Sequence, residues 1–271
     1  MTTADPEARR GSRVELPPAL AALLREGPTL FAVSHSGGKD SQAMMLAVAS
    51  LGLPDTDIAV FHADLGEAEW PGVKTHIRRT AAAWPLVRCT PFKTFFEMVE
   101  HRGRFPSPSV RQCTSDLKRG PIEREVRRYL KRNPRFGGRV VTCMGMRAEE
   151  SPARARRIVL RRSARNSRAG REWWEWLPIH GWSEDRVWDT IAAAGQTPHP
   201  AYLMGMSRLS CRFCIMASAA DLTVSARANP RLYARYCEME TRLGHTLSPS
   251  RKTLPDITGV DPLRALASAS A

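Results

Sequence analysis

Short apolar runs alternate with longer stretches of helical period along most of this chain. Runs at 29–34, 57–62, 85–89 and 139–144 have the length of buried strands, and segments at 40–51, 70–83, 92–102 and 115–132 read as helices. Strands that alternate with helices predict an α/β fold, a three-layer sandwich built on a mainly parallel sheet. A short helix from Pro18 to Arg25 leads into the first strand, and residues 1–17 read as a loose polar tail. Residues 230–243 form a strong amphipathic helix through Leu232, Tyr233, Tyr236, Met239 and Leu243, which Gly244 stops. Beyond Ser248-Pro249-Ser250 the chain reads as progressively disordered toward a terminal Ala-Ser repeat. The expected organisation is a tail and short helix over 1–27, a central α/β domain over 28–200, and a C-terminal helical extension carrying a cysteine pair over 201–271.

The junction after the first strand carries the most chemistry. Ser34-His35-Ser36-Gly37-Gly38-Lys39-Asp40-Ser41 follows the run Thr29-Leu30-Phe31-Ala32-Val33 directly and precedes the helical stretch that starts at Gln42. Adjacent glycines let the backbone turn sharply and approach a ligand, while the amides that open the next helix point outward at its positive dipole end. Phosphate is the natural guest. Ser36 and Ser41 add hydroxyls, Lys39 a mobile positive charge, and Asp40 a carboxylate suited to magnesium. The spacing excludes a Walker A loop, which needs four residues between its first glycine and its Gly-Lys pair. In parallel sheets ligands sit at the carboxyl ends of strands, where Ser36, Asp64 and Gly145 fall.

Composition narrows the class. With 42% hydrophobic and 25% charged residues the chain reads as a soluble globular protein, with no run approaching a membrane span and no secretion signal, so the expected compartment is the cytoplasm. Lysine and arginine outnumber aspartate and glutamate by 41 to 27, for a net charge of +14, a surplus that favours polyanionic partners. A genome rich in GC would enrich arginine and alanine in the same way. Seven arginines, Arg154, Arg156, Arg157, Arg161, Arg162, Arg165 and Arg168, fall between Glu149 and Gly170 and read as a mobile basic loop. The tryptophans of Glu172-Trp173-Trp174-Glu175-Trp176 offer stacking surfaces for bases, or else Trp174 and Trp176 belong to the core of a strand.

Of the six cysteines, Cys89 and Cys143 sit inside apolar strands and read as core. Cys211 and Cys214 share one tight turn, a spacing that suits zinc or an iron–sulfur cluster, although two thiols complete neither site and could also be free.

Ser36-Gly37-Gly38-Lys39-Asp40-Ser41 resembles the PP-loop of the adenine-nucleotide alpha-hydrolase-like superfamily, and specifically its phosphoadenosine-phosphosulfate (PAPS) reductase branch. His62-Ala63-Asp64-Leu65-Gly66, Met144-Gly145-Met146-Arg147-Ala148-Glu149-Glu150-Ser151, Trp176-Leu177-Pro178-Ile179 through Trp188, and His199-Pro200-Ala201-Tyr202 through Cys214 resemble further motifs of that branch, in order, over residues 28–216. The resemblance implies nucleotide contacts from Ser34, Ser36, Gly37, Gly38, Lys39, Asp40, Ser41, Asp64, Gly145 and Arg147, with Lys39, Asp40, Asp64 and Arg147 serving the chemistry. The segment Arg111 to Pro121 resembles the place where cluster-bearing adenylylsulfate reductases carry two adjacent cysteines; here Cys113 remains and Thr114 replaces its partner. Cys113, Cys211 and Cys214 therefore carry over as metal ligands, with either Cys237 as the candidate fourth or one iron left open.

PAPS reductases proper use a nucleophilic cysteine in a Glu-Cys-Gly-x-His type motif, which this chain lacks. The implied activity is thus an ATP-dependent PP-loop pyrophosphatase and sulfurtransferase that adenylates and thiolates nucleic acid, similar to Dnd-type DNA phosphorothioation proteins. It would use ATP, Mg2+ and a [4Fe-4S] cluster, or Zn2+ in its place. Its partners would be nucleic acid, DNA rather than tRNA, and a cysteine desulfurase or other sulfur donor, with no membrane; the oligomeric state is open, a homodimer being one arrangement. The alternatives are a sulfonucleotide reductase with an external thiol, a tRNA thiolase or amidating enzyme, and a catalytically silent nucleotide- or DNA-binding module.

Overall fold

The computed structural model describes residues 13–268, so most of the expected N-terminal tail and the last three residues of the Ala-Ser repeat lie outside the described residues. The chain forms two compact units that interleave along the sequence. Among the described residues the first takes 13–62, 73–89 and 122–199, and the second 63–72, 90–121 and 200–268.

The first unit is an α/β sandwich. Its strands are β1 (Leu30–Ser34), β2 (Ile58–Ala63), β3 (Leu86–Cys89), β4 (Arg139–Met144), β5 (Leu160–Arg162) and β6 (Glu172–Trp176), in the order β3-β2-β1-β4-β6-β5. β1 pairs in parallel with both β2 and β4, and β4 in parallel with β6; only the short β5 is shown running antiparallel, on β6. β1 is buried along nearly its whole length, as a central parallel strand covered on both faces must be. Helices α1 (Pro18–Glu26), α2 (Lys39–Ala49), α3 (Val73–Thr80), α5 (Gly120–Arg132) and α6 (Glu184–Ala193) flank the sheet, with α4 (Phe95–Arg102) belonging to the second unit. Leu30, Ala32, Ala59, Phe61, Val140 and Trp173 meet Val126 and Leu130 of α5 in one apolar cluster. Both strand cysteines, Cys89 and Cys143, are buried as expected, and burial pushes the Cys89 thiol up to about 12.

Because β2 and β4 lie on opposite sides of β1, the strand order reverses between β1 and β4. Their carboxyl ends open a crevice at this switch point, the place where such sheets bind ligands. The loops after Ser34 and after Met144 flank it.

The stretch expected as a mobile basic loop is ordered instead. It holds a helical turn at Pro152–Ala155 and the strand β5, because Arg161 grips Glu175 through Nε at 2.8 Å while Arg165 and Arg154 pair with Glu123 and Glu150. Trp173 and Trp176 are buried and Trp174 is half-buried, so the core role falls on the first and third tryptophans rather than on Trp174.

The second unit is helical. Thr94 and Glu97 form a reciprocal capping box at the start of α4, and Gly103 ends it in a left-handed turn. A turn at Gln112–Thr114 runs into a π-helical turn at Ser115–Arg119 and on into α5. α7 (Ala219–Ala228), α8 (Pro230–Leu243), α9 (Leu254–Thr258) and α10 (Pro262–Ser268) follow. Phe95, Phe96, Phe105 and Phe213 gather around Tyr236, with ring centroids as close as 4.8 Å. The expected disorder beyond Ser250 gives way to α9 and α10. The buried Glu240 carboxylate accepts the amides of Leu247 at 2.7 Å and Leu254 at 2.8 Å, while the Tyr233 hydroxyl donates to the Val260 carbonyl at 2.8 Å. These contacts between distant positions tie the tail down, and a capping box of Thr253 and Asp256 starts α9 locally.

Candidate active site: the glycine turn and the thiol group

The turn after β1 is organised from behind by His35. Gly37 takes a left-handed φ of +82°, which a glycine adopts without strain, and its amide donates to His35 Nδ1 at 3.0 Å. Nδ1 is therefore an acceptor and the ring proton sits on Nε2. Ser41 Oγ lies 3.2 Å from the same nitrogen, donates to the Gly38 carbonyl at 2.9 Å, and accepts the Ser36 amide at 3.2 Å. Burial, then the neighbouring His76 and His62, hold His35 down at about 3, so it stays neutral at working pH. Two of the turn's own amides are thus committed inside it. The outward donors are those that open α2, together with the exposed Ser36 hydroxyl, which stands 3.3 Å from Ser41 Oγ.

Behind the turn a second polar layer fixes α2. Gln42 donates to Gln196 Oε1 at 2.9 Å and to the Thr197 carbonyl at 3.2 Å, and its oxygen meets His76 Nε2 at 3.2 Å. Burial first, then His199 and Arg79, hold His76 at about 4.

Lys39 departs from the mobile charge expected of it. Its side chain is buried, 3% exposed, with Nζ 3.6 Å from both Asp40 and Glu184, and it faces the Trp188 ring at 5.8 Å. Arg147, 2% exposed, reaches back from the loop after β4 to Asp40 at 2.6 Å, pairs with Glu149, and lies 3.5 Å from Glu184. Gly145 makes this approach feasible, since a Cβ there would meet the Asp40 carbonyl at 2.9 Å. The structure therefore brings Ser36, Gly37, Gly38, Lys39, Asp40, Ser41, Gly145 and Arg147 together, with Ser34 closing β1 beside Met144. Asp40 is flanked by two cations, with Oδ1 2.6 Å from Arg147 and Oδ2 3.6 Å from Lys39. Asp64 follows β2 and belongs to the second unit, where it is buried and accepts the Gly66 amide at 3.0 Å.

In the second unit Cys113, Cys211 and Cys214 lie near enough to the half-buried Lys118 to raise its pKa, Cys211 first and then Cys214, Cys113 and Glu69. Burial pushes Cys211 up to about 11 against the pull of Lys118. Tyr236 Oη is buried beside Cys211 and Cys214 and has no hydrogen-bond partner. Cys237 is not part of this group. It lines a separate groove along α8 and its partners are Tyr233 and Glu240, so the four-cysteine set is not assembled. Among the described residues no three His, Cys, Asp or Glu side chains stand close enough to share a metal ion. The three thiols, the lysine and the orphaned hydroxyl nonetheless match the chemistry of a thiolate-bound group.

His35, Glu184 and Tyr236 stand beside these candidate residues, and sequence patterns do not single them out for that place. Glu184 alone carried a signal, since Ser183 caps α6 and puts it in the first turn of that helix.

The family model of the phosphoadenosine phosphosulfate reductase domain matches residues 31–217. The chain belongs to that family. The PAPS reductase domain thus spans the glycine turn, the Arg147 loop and the Cys211–Cys214 pair. An "Uncharacterized 37.8 kDa protein in gpa 5'region" of Escherichia phage 186 is 30% identical over 146 residues, which cover 54% of this chain and 42% of the phage protein. The chain thus matches less than half the length of this relative.

Similar solved structures include a PAPS reductase from Candida auris (17% identity, TM-score 0.46, covering 73% of this chain and 89% of that one). A Candida glabrata FMN adenylyltransferase (12%, 0.46, 76% and 60%) and yeast FAD synthetase (14%, 0.47, 78% and 68%) stand at a similar distance. These scores carry nothing about ligands. No helix among the described residues is long and apolar enough to cross a membrane.

Proposed function

We propose that this PAPS reductase domain binds ATP with its phosphates over residues 36–41 and cleaves it between the α- and β-phosphates, activating an oxygen of nucleic acid for sulfur transfer. The observation that carries the reading is the glycine turn at the switch point, braced by a neutral His35, where α2 opens at Gly38 without a side-chain cap and its first amides lie at the positive end of the helix dipole. A substrate oxygen attacks the α-phosphorus, the bond to the bridging oxygen breaks, and pyrophosphate leaves. The charge that develops is met by these amides and by Lys39 and Arg147, as the phosphates take the place of the more exposed Glu184 and Glu149 carboxylates. Asp40 orients both cations.

The finer reading, a Dnd-like phosphorothioation of DNA with sulfur from a desulfurase, is supported by the thiol group around Lys118 and by the basic surplus. Cys113, Cys211 and Cys214 would hold an iron–sulfur group there. When bound, such a group supplies an exchangeable sulfur. Cys237 is a poor candidate for the nucleophile of a sulfonucleotide reductase, since it lies within α8 and burial pushes its thiol up to about 11.

The test is pyrophosphate release from ATP by the full chain, prepared without oxygen, with and without DNA, alongside sulfite formation from PAPS. Release stimulated by DNA without sulfite is expected. Sulfite formation would make the protein a reductase, and no turnover of either substrate would make it a binding module.

A further inference from the structure

We propose that a basic groove at the amino ends of β4 and β6 anchors the phosphate backbone of nucleic acid. The inference rests on the proposed function only for the identity of the polyanion. Arg124, Arg127, Arg128 and Lys131 follow one another at i, i+3, i+4 and i+7 on α5 and so form one stripe. They line one wall of a groove of about 630 Å³ whose other wall is the Ala169-Gly170-Arg171 turn and the Gly137-Gly138 turn.

The second wall is almost bare backbone. Ala169, Gly170 and Gly138 all have positive φ, and a Cβ on Gly138 would meet the Gly170 carbonyl at 2.4 Å, so the two turns are in direct backbone contact. A wall that is mostly backbone, with Arg171 as its one charged side chain, admits a chain of phosphodiesters.

Charge selects the same guest. Five cationic side chains line the groove and no carboxylate does. Glu125 pairs with Arg124 at 3.3 Å and with Arg128 at 2.7 Å, and Glu123 reaches Arg127 only at 3.9 Å while also holding Arg165. Lys131 makes no ion pair or hydrogen bond through its side chain among the described residues, and Arg171 donates only to the Asn166 carbonyl. From Arg124 to Lys131 the stripe rises about 10 Å, the axial length over which one DNA strand carries about three phosphates. No aromatic side chain lines the groove, and Trp173 and Trp176 are buried, so contact is with backbone rather than with bases.

The groove is also separate from the nucleotide turn. It opens where β4 begins, whereas Gly145 and Arg147 follow its end, about 20 Å along the strand. It can be altered without touching residues 36–41.

The experiment is fluorescence anisotropy of a labelled DNA duplex with the full chain over about 50 to 200 mM salt. It compares the parent with R127A/K131A/R171A and with R25A/R78A/K93A, which removes the same charge from exposed positions elsewhere. The groove variant should bind at least about tenfold more weakly, and its log K against log salt should flatten by about 2 to 3, while the control triple stays near the parent. ATP affinity and melting temperature should be unchanged in both. Equal binding by the two triples would overturn the groove. DNA binding lost only in the groove variant, with no pyrophosphate from any of them, would leave the groove standing and remove the proposed reaction.

Discussion

Acid should loosen this fold through the imidazoles behind the glycine turn. His35 is held near 3 and His76 near 4 against an ordinary 6.5, both by burial first and by neighbouring histidines or arginine after it. At pH well above 6.5 these residues are neutral in the folded and the unfolded chain, and pH has no hold on stability through them. As pH falls below that value the unfolded chain takes up protons that the folded one refuses, so stability is lost until pH passes the folded values. Each histidine then costs about 1.4 kcal/mol per pH unit, or about 2 kcal/mol between pH 7 and 5. Together they approach about 4 kcal/mol, a large part of a typical domain's stability. The assay is urea unfolding at pH 7 and pH 5 for the parent and for His35→Gln, whose amide oxygen can still accept a hydrogen bond but which does not titrate. General charge repulsion in this basic chain acts on both proteins and cancels in the comparison. The variant should lose about 2 kcal/mol of the pH difference. An identical pH dependence in the two proteins would refute the assignment of His35 as a buried neutral brace.

Three further outcomes follow from contacts in the two units. Gly145→Ala should cost about 1–3 kcal/mol through overpacking against the Asp40 carbonyl and weaken ATP binding about tenfold or more, read by calorimetry and thermal melting. Arg147→Ala removes the closer of the two buried cations beside Asp40 and should destabilise by up to about 3–5 kcal/mol in chemical unfolding, with ATP cleavage falling further than ATP affinity. Glu240→Ala strips the Leu247 and Leu254 amides of their acceptor, so hydrogen exchange should show these two amides losing protection while β1 keeps its own.

Local patterns made the first unit readable. An apolar run, paired glycines and a helical stretch specify β1, the turn and α2 almost by themselves, because each depends on neighbours in sequence. The stripe at Arg124, Arg127, Arg128 and Lys131 is equally open to a helical reading, yet the Ala169-Gly170-Arg171 turn that faces it comes about forty residues further on. What stayed hidden depends on distant partners. Glu240 organises the C-terminal helices through amides that only the folded chain brings near, and His35 acts through one ring nitrogen behind the turn. Lys39 reads as a mobile charge until Glu184 and Trp188 are placed beside it. Cys237 shares α8 with Tyr233 and Tyr236, but its partners put it with Glu240 rather than with Lys118.

The position of the break in ATP tests the central claim most directly. With ATP labelled in the α-phosphate, the full chain and DNA should produce AMP and pyrophosphate, and Lys39→Ala should abolish both. Formation of ADP and phosphate instead would contradict the account, since attack would then fall on the γ-phosphate and the turn at residues 36–41 would serve a different chemistry.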